Sequence, residues 1–301
     1  MTDKTQIIYI PGMLPKPPVE EHEEMLWRCL MNGIGRADPA FIGEFEQYRN
    51  AFSVVPWSRL FYDVQTSVEP DKPGVERLLA LGGPEDRDIQ EAGHWHKQVG
   101  RFIYLLLDKF PILIDWVADR DIKETVKEAR RYFEDHHGVA TRIRQFIVDR
   151  LLELHVPGSR LLVIAHSLGS VIAFDTLWEL SNSNNSEINV DLFLTLGSPL
   201  GLNFVRHRML NAGESGARQY PTNIHRWVNL AAIGEMTALD RRFADDYRQM
   251  AELGLVESII DETDLQTYFR GPEGLNVHKC YGYMANQRTG AILASWLRKN
   301  K

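Results

Sequence analysis

The stretch Leu161-Leu-Val-Ile-Ala-His-Ser-Leu-Gly-Ser-Val-Ile-Ala-Phe-Asp175 decides how this chain is read. Four apolar residues run into Ala165-His-Ser-Leu-Gly169, and a helical pattern follows at once. This pattern predicts a buried strand, a sharp turn and a helix, with Ser167 at the apex. A serine hydroxyl is a weak nucleophile until it is exposed, held still and placed beside a base. A strand-turn-helix elbow achieves the first two. It also sets the N–H of Leu168 at a helix N-terminus, where it can stabilise an oxyanion. The tight turn brings the two backbones close, so the positions two before and two after the serine must be small. Ala165 and Gly169 meet that demand.

Outward from the elbow, short apolar runs recur. Gln6 to Ile10 ends at Pro11-Gly12-Met13, and Ala51 to Val55 ends at Pro56-Trp57. Asp191 to Leu196 is stopped by Gly197-Ser-Pro199, and Ile224 to Leu230 and Val256 to Ile260 follow. Each reads as a strand. Between His94 and Leu154 the spacing is helical, with Val99, Phe102, Ile103, Leu106 and Leu107 three and four apart, and with Ile143, Phe146, Ile147, Leu151 and Leu154 on a later helix. Pro157-Gly158 ends that helix, and Ala291 to Leu297 reads as a closing one. Strands that are apolar runs, alternating with helices, predict an α/β fold with a mostly parallel sheet covered on both faces. Residues 1–301 read as one domain, with 90–140 as a helical insertion or cap. Within it, 102–117 reads equally well as a lid over the site and as an ordinary core-facing helix pair.

Composition narrows the classes. Of 301 residues, 44% are apolar and 25% charged, ordinary for a globular protein with a sizeable core. The net charge of −7 disfavours a nucleic-acid partner. Two cysteines, Cys29 and Cys280, make neither a disulfide framework nor a metal site. His94-Trp-His96 and His136-His137 lack ligand partners at metal spacing, and Gly33-Ile-Gly35 is too short for a dinucleotide loop. No signal peptide is visible and no apolar run approaches the roughly 20 residues of a membrane span. The expectation is a cytoplasmic protein without cofactor or metal.

An activated serine needs a base, and the base needs an orienting carboxylate. In such sheets these groups gather at the carboxyl ends of strands. His166 adjoins the serine, but the turn is expected to direct its ring elsewhere, and His225 begins a strand and is expected to pack. His278, in a loop before the last helix, is the best base. The acid should follow the strand ending at Leu230, where Glu235 and Asp240 are the contenders. Ser198 reads as a turn former, Cys280 as core, and Trp57 and Tyr281 as core more readily than as pocket lining.

Several islands resemble the α/β-hydrolase superfamily, in its serine esterase and lipase branch. They are Ile8-Tyr-Ile-Pro-Gly-Met13, Ala165-His-Ser-Leu-Gly-Ser170, Leu196-Gly-Ser-Pro-Leu-Gly201, Trp227-Val-Asn-Leu230 and His278 to Tyr281. The resemblance implies an α/β-hydrolase fold and the chain order serine, acid, histidine. It places the acid at Glu235, where relatives often carry aspartate, with Asp240 as the alternative. It implies oxyanion donors from Leu168 and from the loop after the first strand, at Met13. Pro11 stands where relatives often have histidine. The implied activity is cleavage of a small-molecule or lipid carboxylic ester through an acyl-enzyme. Acyl transfer through the same intermediate, and a non-catalytic binding protein on the same scaffold, are the alternatives.

Overall fold

The first apolar run forms β1 (Thr5–Ile10), and a long amphipathic helix, α1 (Val19–Ala37), returns the chain to β2 (Phe52–Val54). This computed structural model describes residues 5–93, 128–183, 187–235 and 242–299. Two helices follow, α2 (Lys72–Ala80) and α3 (Asp86–Ala92). Beyond the undescribed stretch come α4 (Val139–Leu154), β3 (Arg160–His166) and α5 (Leu168–Asn182). Then come β4 (Leu192–Leu196), β5 (Arg226–Ala232) and β6 (Ser258–Leu265), and finally α6 (Cys280–Met284) and α7 (Gln287–Arg298).

The strands form one six-stranded sheet in the order β2-β1-β3-β4-β5-β6, with every neighbouring pair parallel. The fold is therefore α/β with a parallel sheet flanked by helices, as the apolar runs predict. Alternate residues of each strand serve opposite faces. Ile7, Tyr9, Leu162, Ile164, Leu194 and Leu230 pack against α1, α6 and α7. Ile8, Ile10, Val163, Phe193 and Trp227 pack against α4 and α5 on the other side. Burial on both faces explains why the strands are continuously apolar.

The strand order reverses between β1 and β3. The loop leaving β1 turns toward α1 on one face, and the loop leaving β3 turns toward α5 on the other. Such a reversal opens a crevice at the carboxyl ends of the two strands, where α/β sheets bind ligands. Pro11 and Ser167 are the first residues beyond those two ends.

Some expectations need amending. The helix Val19–Ala37 is absent from the sequence expectation, and its buried residues Met25, Leu26, Cys29, Leu30, Gly33 and Ile34 follow the helical repeat. Gly33 and Gly35 both lie within this helix. Residues 94–127, which include most of the expected cap and the whole of 102–117, lie outside the described residues. On its flanks α3 and residues 128–133 are helical. None of the described helices is long and apolar enough to cross a membrane.

The helix α5 is buried on nearly all sides, from Leu168 to Leu177. It carries one acid in that span, Asp175, which is 2% exposed. Its carboxylate accepts from Tyr132 Oη at 2.9 Å and from Leu210 N at 3.1 Å, yet burial pushes its pKa up to about 7. Below about pH 4 the group is protonated in folded and unfolded chains alike. Between there and about 7 the unfolded chain releases the proton while the folded chain keeps it. Stability that Asp175 confers at low pH is therefore lost as pH rises to neutrality. Urea midpoints between pH 4 and 7 should fall with rising pH in the wild type relative to Asp175→Asn. Parallel profiles would contradict this.

Candidate active site

The elbow sits where the sequence puts it. Ser167 links β3 to α5 with φ 53° and ψ −133°, a left-handed geometry that costs a non-glycine residue about 1–3 kcal/mol. Its surroundings hold it there. Ser167 N donates to Leu196 O at 3.0 Å across to β4. Ser167 O accepts from Ser170 N at 2.9 Å and from Ser170 Oγ at 2.5 Å. Ser170 Oγ is in turn 2.6 Å from Ser198 Oγ, and Ser198 Oγ accepts from Leu200 N at 3.2 Å. Ser198 is thus a turn former whose hydroxyl also braces the elbow.

The small residues answer a close approach. A Cβ on Gly169 would lie 2.3 Å from Pro11 O and 2.6 Å from Ile10 O, inside any permitted contact. A Cβ on Gly12 would lie 2.8 Å from Ser167 Cβ. The loop after β1 is thereby seated directly on the turn that carries Ser167. Met13 N and Leu168 N, the two expected oxyanion donors, have no acceptor among the described residues.

His278, from the loop before α6, faces the serine. Its Nε2 is 3.0 Å from Ser167 Oγ and its Nδ1 is 2.9 Å from Glu235 Oε2. An ionised carboxylate only accepts, so Nδ1 carries the proton and Nε2 accepts from the serine hydroxyl. Glu235 is 3% exposed and stands three residues beyond β5. Tyr283 Oη donates to Glu235 Oε2 at 3.1 Å and accepts from Ala232 N at 2.9 Å. Gly197 makes room for this meeting: at φ 53°, a Cβ there would be 3.0 Å from Glu235 Oε2 and 3.1 Å from His278 Nδ1. A hydroxyl joined through imidazole to a buried carboxylate can pass its proton to the ring as the oxygen attacks an electrophile.

Two histidines depart from expectation. The ring of His166 is not directed away; it is buried 4.6 Å from the His278 ring, centroid to centroid. Its Nε2 donates to His278 O at 2.8 Å, which steadies the backbone of His278. Burial, aided by the neighbouring imidazole, lowers its pKa well below the usual range and keeps it neutral. The turn fixes the serine's direction, and the residue before it still points inward because β3 alternates faces. His225 does not pack; it precedes β5, is exposed, and pairs with Glu257 at 3.2 Å. Trp57, Tyr281 and Cys280 are buried, and Trp57 Nε1 donates to Pro11 O at 2.7 Å. Asp240, the alternative acid, lies outside the described residues. Tyr283 and His166 are the participants that the sequence reading missed.

No family model, curated protein or solved structure matches this chain. Among the described residues, no group of three His, Cys, Asp or Glu could hold a metal ion.

Tyr283→Phe should test the acid's support. It leaves the buried Ala232 N–H without its acceptor, at a cost of about 1–3 kcal/mol. Chemical denaturation should record that loss, and an unchanged midpoint would show the phenol to be dispensable.

Proposed function

We propose that the protein is a serine hydrolase that cleaves a carboxylic ester through an acyl-enzyme. The observation that carries the reading is the unbroken line Ser167 Oγ, His278 Nε2, His278 Nδ1, Glu235 Oε2, with links of 3.0 and 2.9 Å. The strained serine at a crevice of the sheet supports it. So does the resemblance of the sequence islands to serine esterases.

In this reading Ser167 Oγ attacks the ester carbonyl while its proton moves to His278 Nε2. Glu235 holds the imidazole in the required tautomer and stabilises its positive charge. Leu168 N–H and Met13 N–H receive the developing oxyanion, each worth roughly 3 kcal/mol of barrier. The imidazolium then returns its proton to the departing alcohol as the carbon–oxygen bond breaks. Water, deprotonated by the same ring, adds to the acyl-enzyme and frees the acid and Ser167. The scheme calls on no cofactor or metal. The substrate class is a small-molecule or lipid ester. Both cysteines are buried, unpaired thiols, which supports a cytoplasmic setting.

A fluorophosphonate probe should label Ser167, and Ser167→Ala should abolish both labelling and turnover of a short p-nitrophenyl ester while leaving the circular dichroism unchanged. Full turnover by that variant would remove the proposal. In the same assay Glu235→Gln should lower kcat about a thousandfold or more.

A further inference from the structure

The loop after β1 is fastened to residues 61–66, and the fastening converges on one peptide group. Leu14 N donates to Tyr62 Oη at 3.0 Å, and Tyr62 Oη donates to Glu128 Oε2 at 2.5 Å. At the other end of the same peptide group, Met13 O accepts from the Lys16 ammonium. Just beyond, Thr66 Oγ1 donates to Pro15 O and Thr66 N to Lys16 O, each at 3.2 Å. The partner segment is itself anchored. Arg131 Nη1 donates to Phe61 O at 2.7 Å, and its guanidinium lies 4.2 Å from the Phe61 ring centroid.

This clamp holds something that would not stay by itself. Leu14 has φ 75° and is 61% exposed. A leucine in the left-handed region costs about 1–3 kcal/mol, and an exposed one recovers little of that by packing. Met13 lies between two fixed points. On one side Gly12 is pressed against Ser167, and on the other the Met13–Leu14 peptide is bound at both its C=O and its N–H. Only the two torsions of Met13 separate the clamped group from its own N–H.

We propose that Tyr62 and Lys16 are positioning residues that hold the Met13–Leu14 peptide group so that Met13 N–H meets the oxyanion formed at Ser167. The proposal rests on the hydrolase reading above. It assigns a purpose to a strained, solvent-exposed leucine that packing does not explain. Tyr62 acts through the loop and touches no reacting atom, so its effect belongs to the transition state rather than to ground-state binding.

The test uses Tyr62→Phe, which keeps the ring and removes the hydroxyl. With a p-nitrophenyl ester, kcat should fall about 10- to 30-fold, less than the loss of a whole oxyanion donor, with KM changed less than about twofold. Affinity for a boronic acid, whose serine adduct mimics the tetrahedral intermediate, should fall by the same factor as kcat/KM. Adding Leu14→Asn, which accepts left-handed geometry readily, should bring kcat back to within about threefold of wild type. Lys16→Met, a second variant with an intact apolar stem, should lose rate in the same direction. Unchanged kcat and boronate affinity in both variants would overturn the clamp, as would a loss confined to KM or a failure of Leu14→Asn to restore the rate. Fluorophosphonate labelling separates this failure from that of its premise. Labelled Ser167 with unaltered rates in the variants removes the clamp alone, whereas an unlabelled, inactive wild type removes the hydrolase reading and the clamp together.

Discussion

Two backbones meet without room for a methyl group between them, and the site follows from that contact. The loop leaving β1 lies against the turn from β3 into α5, at Gly12 and Gly169. Both strands are central and parallel, so their carboxyl ends lie side by side. The reversal of strand order sends their loops to opposite faces of the sheet. Ser167 is left standing in the gap between them. Had either glycine carried a side chain, the β1 loop would be displaced from Ser167.

The remaining groups arrive from further along the sheet. β4 supplies Leu196 O, which fixes the serine's backbone, and Gly197, whose bare Cα clears space for the acid and base. β5 ends just before Glu235. A polar chain links β4, β5 and β6, in which Trp227 Nε1 donates to Thr195 Oγ1, Thr195 Oγ1 to Asn229 Oδ1, and Asn229 Nδ2 to Asp261 Oδ1. Asp261 Oδ2 also accepts from Ala244 N, so the chain beyond the acid's loop is tied back to the sheet. The loop before α6 and α6 itself bring His278 and Tyr283 on one short segment. Base and acid support are therefore set together, five positions apart.

The sequence made the centre of this arrangement legible and left its surroundings obscure. The elbow could be read because apolar run, small residues, serine and helix repeat all occur within fifteen consecutive positions. The sheet could be read because strands buried on both faces are continuously apolar. His278 and Glu235 came within reach by their order along the chain and their place after strands, and the structure brings both to Ser167. Tyr283 escaped because its role depends on a hydroxyl meeting a carboxylate 48 positions away, and nothing in local spacing encodes that. His166 escaped because a histidine that braces a neighbour's backbone has no pattern of its own. The helix α1 carries a regular apolar repeat, but its early run of acids and its glycines blur the signal. His225 was misplaced by one strand-end: β5 begins at Arg226, so the imidazole falls outside the packed interior.

The hydrogen bond between residues 167 and 278 closes a chain segment of 111 positions. Closing so long a segment carries a loop-entropy cost that the packed sheet and its helices must offset. Until the polypeptide as far as position 278 has docked, Ser167 Oγ lacks its imidazole neighbour. The contact between Ser167 and His278 is thus a readout of completed assembly, absent from a partly made or partly opened molecule.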